Sequence, residues 1–471
     1  MIPGMDDLPL LAAGCRLNEK NQQPRVLHMP ERALRLIGPS LEIIERCDGK
    51  HTVREIIAEL QRIYSKAEPR KIETDILEYL SRLHDQRALD FASAAAQEAP
   101  QGRVMTDAAP TPLALIAELT HRCPLHCVYC SNPLELSHRA GELPADVWTR
   151  VFREAAAAGV LQTDFTGGEP LARPDLVDLV RAARSAGLYV SLITSGLPLD
   201  EARLDALLDA GLDHVQLSFQ GAREETANEI AGTKAHAHKL RVLEMLGRRR
   251  VAVTLNFVIH RRNIEQMEEM LAIGKASCAG RIEFANVQYY GWAFANRERL
   301  LPTRTQLDCS LEILKRSQER LRGKILIEFV VPDYYGKFPK ACMGGWGRKL
   351  ILITPEGDAL PCHAARVIPG LRFENVKDRS LRQIWDESDA FRKFRGHEWM
   401  PALCRNCDRR DQDFGGCRCQ ALLLTGEAAA TDPVCSLAPE RTKVDAILAA
   451  VNAAAPESAP NPTWVYRPNP A

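Results

Sequence analysis

Three cysteines, Cys123, Cys127 and Cys130, fall within one short segment, ELTHRCPLHCVYCSNP, directly after the β-rich run LALIAELT (113–120). Three thiolates on one loop can wrap a face of a cuboidal 4Fe–4S cluster, for which thiolate is the preferred ligand. Three rather than four leaves one iron without a protein ligand, open to a substrate or cofactor, as a catalytic zinc site keeps one position open. On spacing alone, a structural zinc knuckle that borrows His121 or His126 is the alternative.

A second group contains Cys342, Cys362, Cys404, Cys407, Cys417, Cys419 and Cys435. Two four-ligand sites need one donor more than these seven, and Asp413, in CRNCDRRDQDFGGCRCQ, can supply it. Carboxylate is a harder ligand than thiolate but coordinates iron. A pair of structural zinc sites is the alternative here. Cys15, Cys47, Cys278 and Cys309 are scattered and read as ordinary small apolar side chains. Fourteen cysteines in a chain of 471 residues point to metal ligands rather than disulfides where no secretory leader is found. The apolar run Leu8 to Gly14 follows Asp6 and Asp7 instead of a basic stretch, so no such leader is expected and the chain reads as cytoplasmic. With 61 basic and 61 acidic side chains, a nucleic-acid or membrane-surface footprint is not expected. No apolar run is long enough to span a membrane.

The elements that must position these cysteines form three parts and a tail. From 113 to 320 β-rich runs alternate with helical patterns: after LALIAELT come TDFTGGE (163–169), YVSLITSG (189–196), HVQLSFQ (214–220), VAVTLNFVI (251–259) and RIEFANVQ (281–288). Six βα units in series imply an α/β fold with a parallel sheet. A partial (β/α)6 barrel with its site at the C-terminal strand ends fits, and a doubly wound open sheet is the alternative. Residues 1–92 read as a small winged-helix-like α+β domain: a strand RVLHM, a helix with Val53, Ile56, Ile57, Leu60 and Ile63 inward, and a helix from Lys71 to Leu89. That second helix mixes Glu73, Asp75, Glu78 and Asp85 with its basic residues, which argues against DNA binding. Residues 93–112 read as a linker. Residues 321–440 are cysteine-rich, with a hairpin KLILITPEGDALPC turning at Pro355 to Gly357. From 441 a short helical run leads into a Pro-rich end, read as a disordered tail.

The CxxxCxxC pattern with Tyr129 before its last cysteine resembles the signature of the radical S-adenosylmethionine superfamily. Gly167, Gly168, Glu169 and Pro170 match that superfamily's GGEP motif, one βα unit later. The resemblance implies S-adenosylmethionine on the open iron, glycines that admit the cofactor's methionine moiety, and a carboxylate region that receives its ammonium. It also implies cofactor contacts from Ser195, Gln220 and Asn256. The region 342–435 resembles the SPASM extension of peptide-modifying radical enzymes, departing from it at Asp413 and at the extra Cys419. That combination, with LSFQGA, VQYYGWA, VPDYYGK, CMGGWGR and LPCHAA, is similar to the radical peptide cyclases of pyrroloquinoline quinone biosynthesis over residues 113–440. Residues 10–92 resemble the small peptide chaperone of the same pathway.

These resemblances imply two auxiliary iron–sulfur clusters, 4Fe–4S and/or 2Fe–2S, the nearer on Cys342, Cys362, Cys417 and Cys419 and the farther on Cys404, Cys407, Asp413 and Cys435. They imply a ribosomally made precursor peptide in which a glutamate and a tyrosine become crosslinked, and an electron donor such as flavodoxin. In such chaperones the peptide adds as a strand to a sheet edge, and fusion would concentrate it near the barrel mouth. Rival readings are a maturase forming a thioether or other crosslink, and a non-enzymatic iron–sulfur electron carrier or peptide scaffold.

Overall fold

Each of the six β-rich runs forms a strand, because each alternates or concentrates Val, Ile, Leu and Phe between turn residues. The computed structural model describes residues 3–17, 25–30, 32–92, 110–132, 134, 141–453 and 464–468. The N-terminal part contains β1 (Leu8–Leu11), β2 (Arg16–Leu17), β3 (Val26–Met29), β4 (Arg32–Arg35) and β5 (Leu89–Ala92). β1 pairs antiparallel with β5, and β2, β3 and β4 form a separate antiparallel sheet in that order. The helix Val53–Ile63 starts where it does because Thr52 accepts the Glu55 N–H while the Glu55 carboxylate takes the Thr52 N–H. Val53, Ile56, Ile57 and Leu60 are buried, but Ile63 has turned outward in the last turn and is 51% exposed. The next helix, Pro69–Asp85, stops short of Leu89, which belongs to β5.

The barrel strands are β6 (Ala114–Thr120), β7 (Gln162–Gly167), β8 (Tyr189–Thr194), β9 (His214–Phe219), β10 (Ala252–Ile259) and β11 (Arg281–Asn286). A seventh, β12 (Leu326–Phe329), joins parallel to β11. The hairpin β13 (Leu350–Ile353) and β14 (Ala359–Leu360) turns at the expected residues, yet it does not stand apart: β13 runs parallel to β6 and extends the same sheet. The resulting order, β12-β11-β10-β9-β8-β7-β6-β13-β14, follows the chain without reversal from β6 to β12. A doubly wound sheet reverses at a switch point, so the architecture is an open barrel. Its core runs through Leu115, Phe165, Leu192, Leu217, Phe257 and Phe284, all essentially inaccessible. No described helix is long and apolar enough to cross a membrane.

Two placements were not read from the sequence. The N-terminal domain, whose seat the sequence left open, packs against the start of the barrel strands. The Arg87 guanidinium donates to the carbonyl of Asp213, just before β9, at 2.9 Å. A Cβ on Gly14 would lie 2.7 Å from Tyr189 Cβ at the start of β8. The Pro-rich end is the second. The expected helical run forms as Arg441–Ala453, with Val444 and Val451 packed with Leu301 and Tyr334, but beyond it Trp464 and Arg467 are buried. The composition of this stretch is that of disordered chain, but a few large side chains find long-range partners. Most of the expected linker, and residues 454–463 and 469–471, lie outside the described residues; the linker's end is packed, with Pro110 O accepting the Trp385 indole N–H at 2.6 Å.

The Arg87→Glu substitution should release the N-terminal domain from the barrel base. Small-angle scattering should then report a larger radius of gyration, and a profile identical to that of the unaltered chain would contradict this docking.

Candidate active site

The loop after β6 is held from the barrel side. His126 N–H donates to Ala231 O at 2.8 Å, Val128 N–H to Ile230 O at 3.2 Å, and Thr233 Oγ1 to Pro124 O at 3.1 Å. These bonds gather Cys123, Cys127 and Cys130. Burial pushes the Cys123 thiol up to about 12 and also raises Cys130. Burial raises Cys127 as well, with neighbouring Cys123 and Cys130 adding to it. Three neighbouring thiols that resist ionisation together are a donor set suited to a cationic cluster. His121 Nε2 lies 2.8 Å from Glu356 Oε1, and His126 Nδ1 lies 2.8 Å from Arg467 O, so both imidazoles have partners other than a metal.

The end of β7 lies directly on this loop. Gly167 has φ 125°, and a Cβ there would fall 2.4 Å from Thr120 O; one on Gly168 would fall 2.3 Å from Arg122 O. Gly168 N–H donates to Thr120 O at 2.6 Å and Glu169 N–H to Arg122 O at 2.8 Å. The two glycines are thus demanded by backbone packing as well as by any bound cofactor. Pro170 opens a short turn whose Leu171 N–H donates to Glu169 Oε1. Glu169, fully buried, also accepts from Thr194 Oγ1 at 2.7 Å, Ser195 N–H at 2.8 Å and Ser195 Oγ at 2.5 Å. Glu169 and Ser195, read separately from the sequence, form one hydrogen-bonded unit.

Gln220, after β9, accepts from Lys239 Nζ at 2.7 Å, and Lys239 also donates to Ser218 O at 2.8 Å. The Tyr129 hydroxyl lies beside Gln220 and its ring is 5.9 Å from that of His260. Burial holds the Lys239 ammonium down to about 8, against the opposing pull of Cys127, Glu169 and Cys123. Lys239 escaped the sequence reading. Its signal was a lone cation on the apolar face of the helix His236–Arg248, in step with buried Val242, Leu243 and Leu246. Asn256 is not at a strand end. It lies midway along β10, across from Glu283, and donates to Glu283 Oε2 at 3.1 Å, a layer below the other candidates.

A cavity of about 310 Å³ opens beside this end of the sheet. Its walls include Asn286, Gln288 and Tyr290 from the end of β11, and Cys342, Cys362, Cys417 and Cys419. Those four thiols are mutual neighbours, Cys342 acting on the ionisation of Cys362 and Cys417, and Cys419 on that of the same two. His363, next to Cys362, ties this region to the barrel through Glu118 Oε1 at 2.8 Å. Cys404, Cys407, Asp413 and Cys435 line a separate small cavity. Asp413 is buried there and accepts the Gly415 N–H at 3.1 Å. Arg418 sits between the two groups, 1% exposed, donating to the carbonyls of Ala428, Ala430 and Gly415. Its charge is felt by Cys342, Cys417 and Cys404. Among the described residues no three such side chains converge at the distances of a single ion's shell. In an iron–sulfur cluster each cysteine ligates its own iron, so wider spacing is what that donor set requires.

Comparison with known proteins places these parts in order along the chain. Residues 117–273 match the Radical SAM superfamily, residues 342–408 an iron–sulfur cluster-binding domain (SPASM), and residues 25–89 coenzyme PQQ synthesis protein D (PqqD). The PqqA peptide cyclase of Methylobacterium nodulans is 52% identical over 350 residues, covering 74% of this chain and 92% of that protein. The PqqA peptide cyclase of Gluconobacter oxydans is 52% identical over 335 residues, covering 71% of this chain and 93% of that protein. Streptococcus suis SuiB bound to S-adenosylmethionine superposes with a TM-score of 0.63 at 16% identity, over 93% of this chain and all of that one. At that identity the likeness is one of fold.

Gly168→Ala should cost about 1–3 kcal/mol, the usual range for overpacking a tight site, because its Cβ meets backbone and not a flexible side chain. Thermal unfolding and iron content after reconstitution should both fall; a variant equally stable and equally loaded would contradict the packing role.

Proposed function

The chain belongs to the PqqA peptide cyclases, and from that premise we propose how its own residues divide the work of a radical S-adenosylmethionine enzyme of pyrroloquinoline quinone biosynthesis. Cys123, Cys127 and Cys130 hold the 4Fe–4S cluster that binds S-adenosylmethionine. Cys342, Cys362, Cys417 and Cys419 hold the nearer auxiliary cluster, and Cys404, Cys407, Asp413 and Cys435 the farther. When bound, these groups supply a hydrogen-abstracting carbon radical and an acceptor for one electron, the two halves of the two-hydrogen oxidation that a carbon–carbon crosslink requires.

The chain's part is binding, orientation and exclusion of water. The Glu169–Ser195 pair takes the ammonium of S-adenosylmethionine, and its buried carboxylate is charge-matched to that task. Lys239, a buried cation fixed by Gln220 and Ser218, takes the cofactor's carboxylate. Gln220 and Tyr129 flank the ribose side, and Gly167 and Gly168 set the backbone against which the methionine lies. Asn256, deeper in the barrel, supports the same site through Glu283.

The precursor's glutamate and tyrosine occupy the cavity between β11 and the nearer thiols. That cavity is the observation that carries the reading. Its walls join the strand ends beside the first cysteine loop to four thiols that would hold the auxiliary cluster, the group able to accept the one electron of the oxidation. The N-terminal domain captures the precursor by strand addition at an outer edge of its three-stranded sheet, at β2 or β4, and a flavodoxin-type donor supplies the reducing electron.

The test is an anaerobic reaction of the reconstituted chain with dithionite, S-adenosylmethionine and the precursor peptide. Deoxyadenosine should form together with a peptide lighter by two hydrogens, stable to reduction and alkylation. Both should vanish in Cys130→Ala. Deoxyadenosine without the change in peptide mass would refute the cyclase assignment of this site. For the farther auxiliary site, Asp413→Cys should keep a cluster but move one auxiliary reduction potential, since thiolate and carboxylate donate charge differently. A redox titration identical to that of the unaltered chain would remove Asp413 from the ligand set.

A further inference from the structure

The tail segment 464–468 is bound to the first cysteine loop by contacts that none of these roles uses. Arg467 is 1% exposed. Its guanidinium donates to the carbonyls of His121 and Leu125, which lie on either side of Cys123. Its backbone pairs with His126: the Arg467 N–H donates to His126 O at 3.3 Å, and Arg467 O lies 2.8 Å from His126 Nδ1. Asn296, also buried, donates to Val128 O and to Val465 O, both at 2.8 Å, and accepts the Val465 N–H at 3.0 Å. One amide therefore ties loop and tail together. Glu229 completes the attachment. Its carboxylate accepts the Trp464 indole N–H at 2.8 Å and its carbonyl the Tyr466 hydroxyl at 3.0 Å. The buried Arg467 guanidinium thus sits against the backbone that carries Cys123.

We propose that Arg467 is a positioning residue for the iron–sulfur centre on Cys123, Cys127 and Cys130: it clamps the loop through backbone carbonyls and sets a fixed, buried cation beside the thiolates, favouring the reduced state. The proposal rests on the assignment of those three cysteines as cluster ligands. Its sign follows from electrostatics. Reduction adds one negative charge, so a neighbouring cation lowers the reduced state more than the oxidised one, and more strongly where water is excluded. Arginine suits the role because it stays charged when buried and its fork can hold two carbonyls at once.

The test is a redox titration of the fully reconstituted chain, followed by electron paramagnetic resonance, with the first centre recognised by its spectral response to S-adenosylmethionine. In Arg467→Gln the reduced-to-oxidised ratio at a fixed potential should fall about tenfold, a midpoint roughly 59 mV more negative for a one-electron couple. The auxiliary signals should not move, and Arg467→Lys, which keeps the charge, should stay near the unaltered value. An unchanged midpoint in Arg467→Gln with the first signal intact overturns the proposal. If Arg467→Gln loses that centre, alkylation of the cluster-free full-length chain decides by mass spectrometry. The clamp requires faster labelling of Cys123, Cys127 and Cys130 in Arg467→Gln and Trp464→Ala, with Cys404 and Cys407 unaffected; equal labelling overturns it. An unaltered chain that shows no response to S-adenosylmethionine takes down the ligand assignment, and the proposal with it.

Discussion

The site depends on how closely the ends of β6 and β7 approach each other. Gly168 and Glu169 donate their N–H groups to the carbonyls of Thr120 and Arg122, at a distance that leaves no room for a Cβ. This contact fixes the start of the cysteine loop relative to the Glu169 carboxylate. Glu169 in turn fixes Thr194 and Ser195 at the next strand end, so orientation passes from strand to strand around the sheet. A parallel sheet without reversal makes this possible, since all its C-terminal ends lie on one side.

Electrostatics follow the same layout. Each set of buried thiols has a buried cation near it: Lys239 and Arg467 at the first, Arg418 between the other two. A buried charge is costly unless it is hydrogen-bonded, and carbonyl oxygens of the chain hold a share of each cation's donors.

Much of this was legible in the sequence, for physical reasons. The six barrel strands follow from concentrated β-branched and aromatic residues, and the cysteine spacings are local. Gly167 and Gly168 were visible as a motif, though their demand for space comes from the carbonyls of Thr120 and Arg122, some 45 residues earlier in the chain. Lys239 went unread because helical periodicity puts it on the apolar face of its helix but does not show what that face meets. The packing of residues 464–468 was not legible because Ala and Pro dominate the composition around them, whereas it depends on Trp464, Arg467 and distant Asn296 and Glu229. The joining of β13 to β6 was equally hidden, since strand pairing across more than two hundred residues leaves no local trace.

The seat of the N-terminal domain has a further consequence. Its contacts at Tyr189 and Asp213 lie where the barrel strands begin, while the cavity lies where they end. A six-residue strand spans about 20 Å, so a peptide held by its own chain's N-terminal domain must travel at least that far outside the barrel before its reactive residues can enter. Even fully extended, this takes about six residues of precursor. On the proposed capture by strand addition, the domain would act as a molecular ruler, favouring precursors in which the captured segment and the residues to be joined are far enough apart to span that distance.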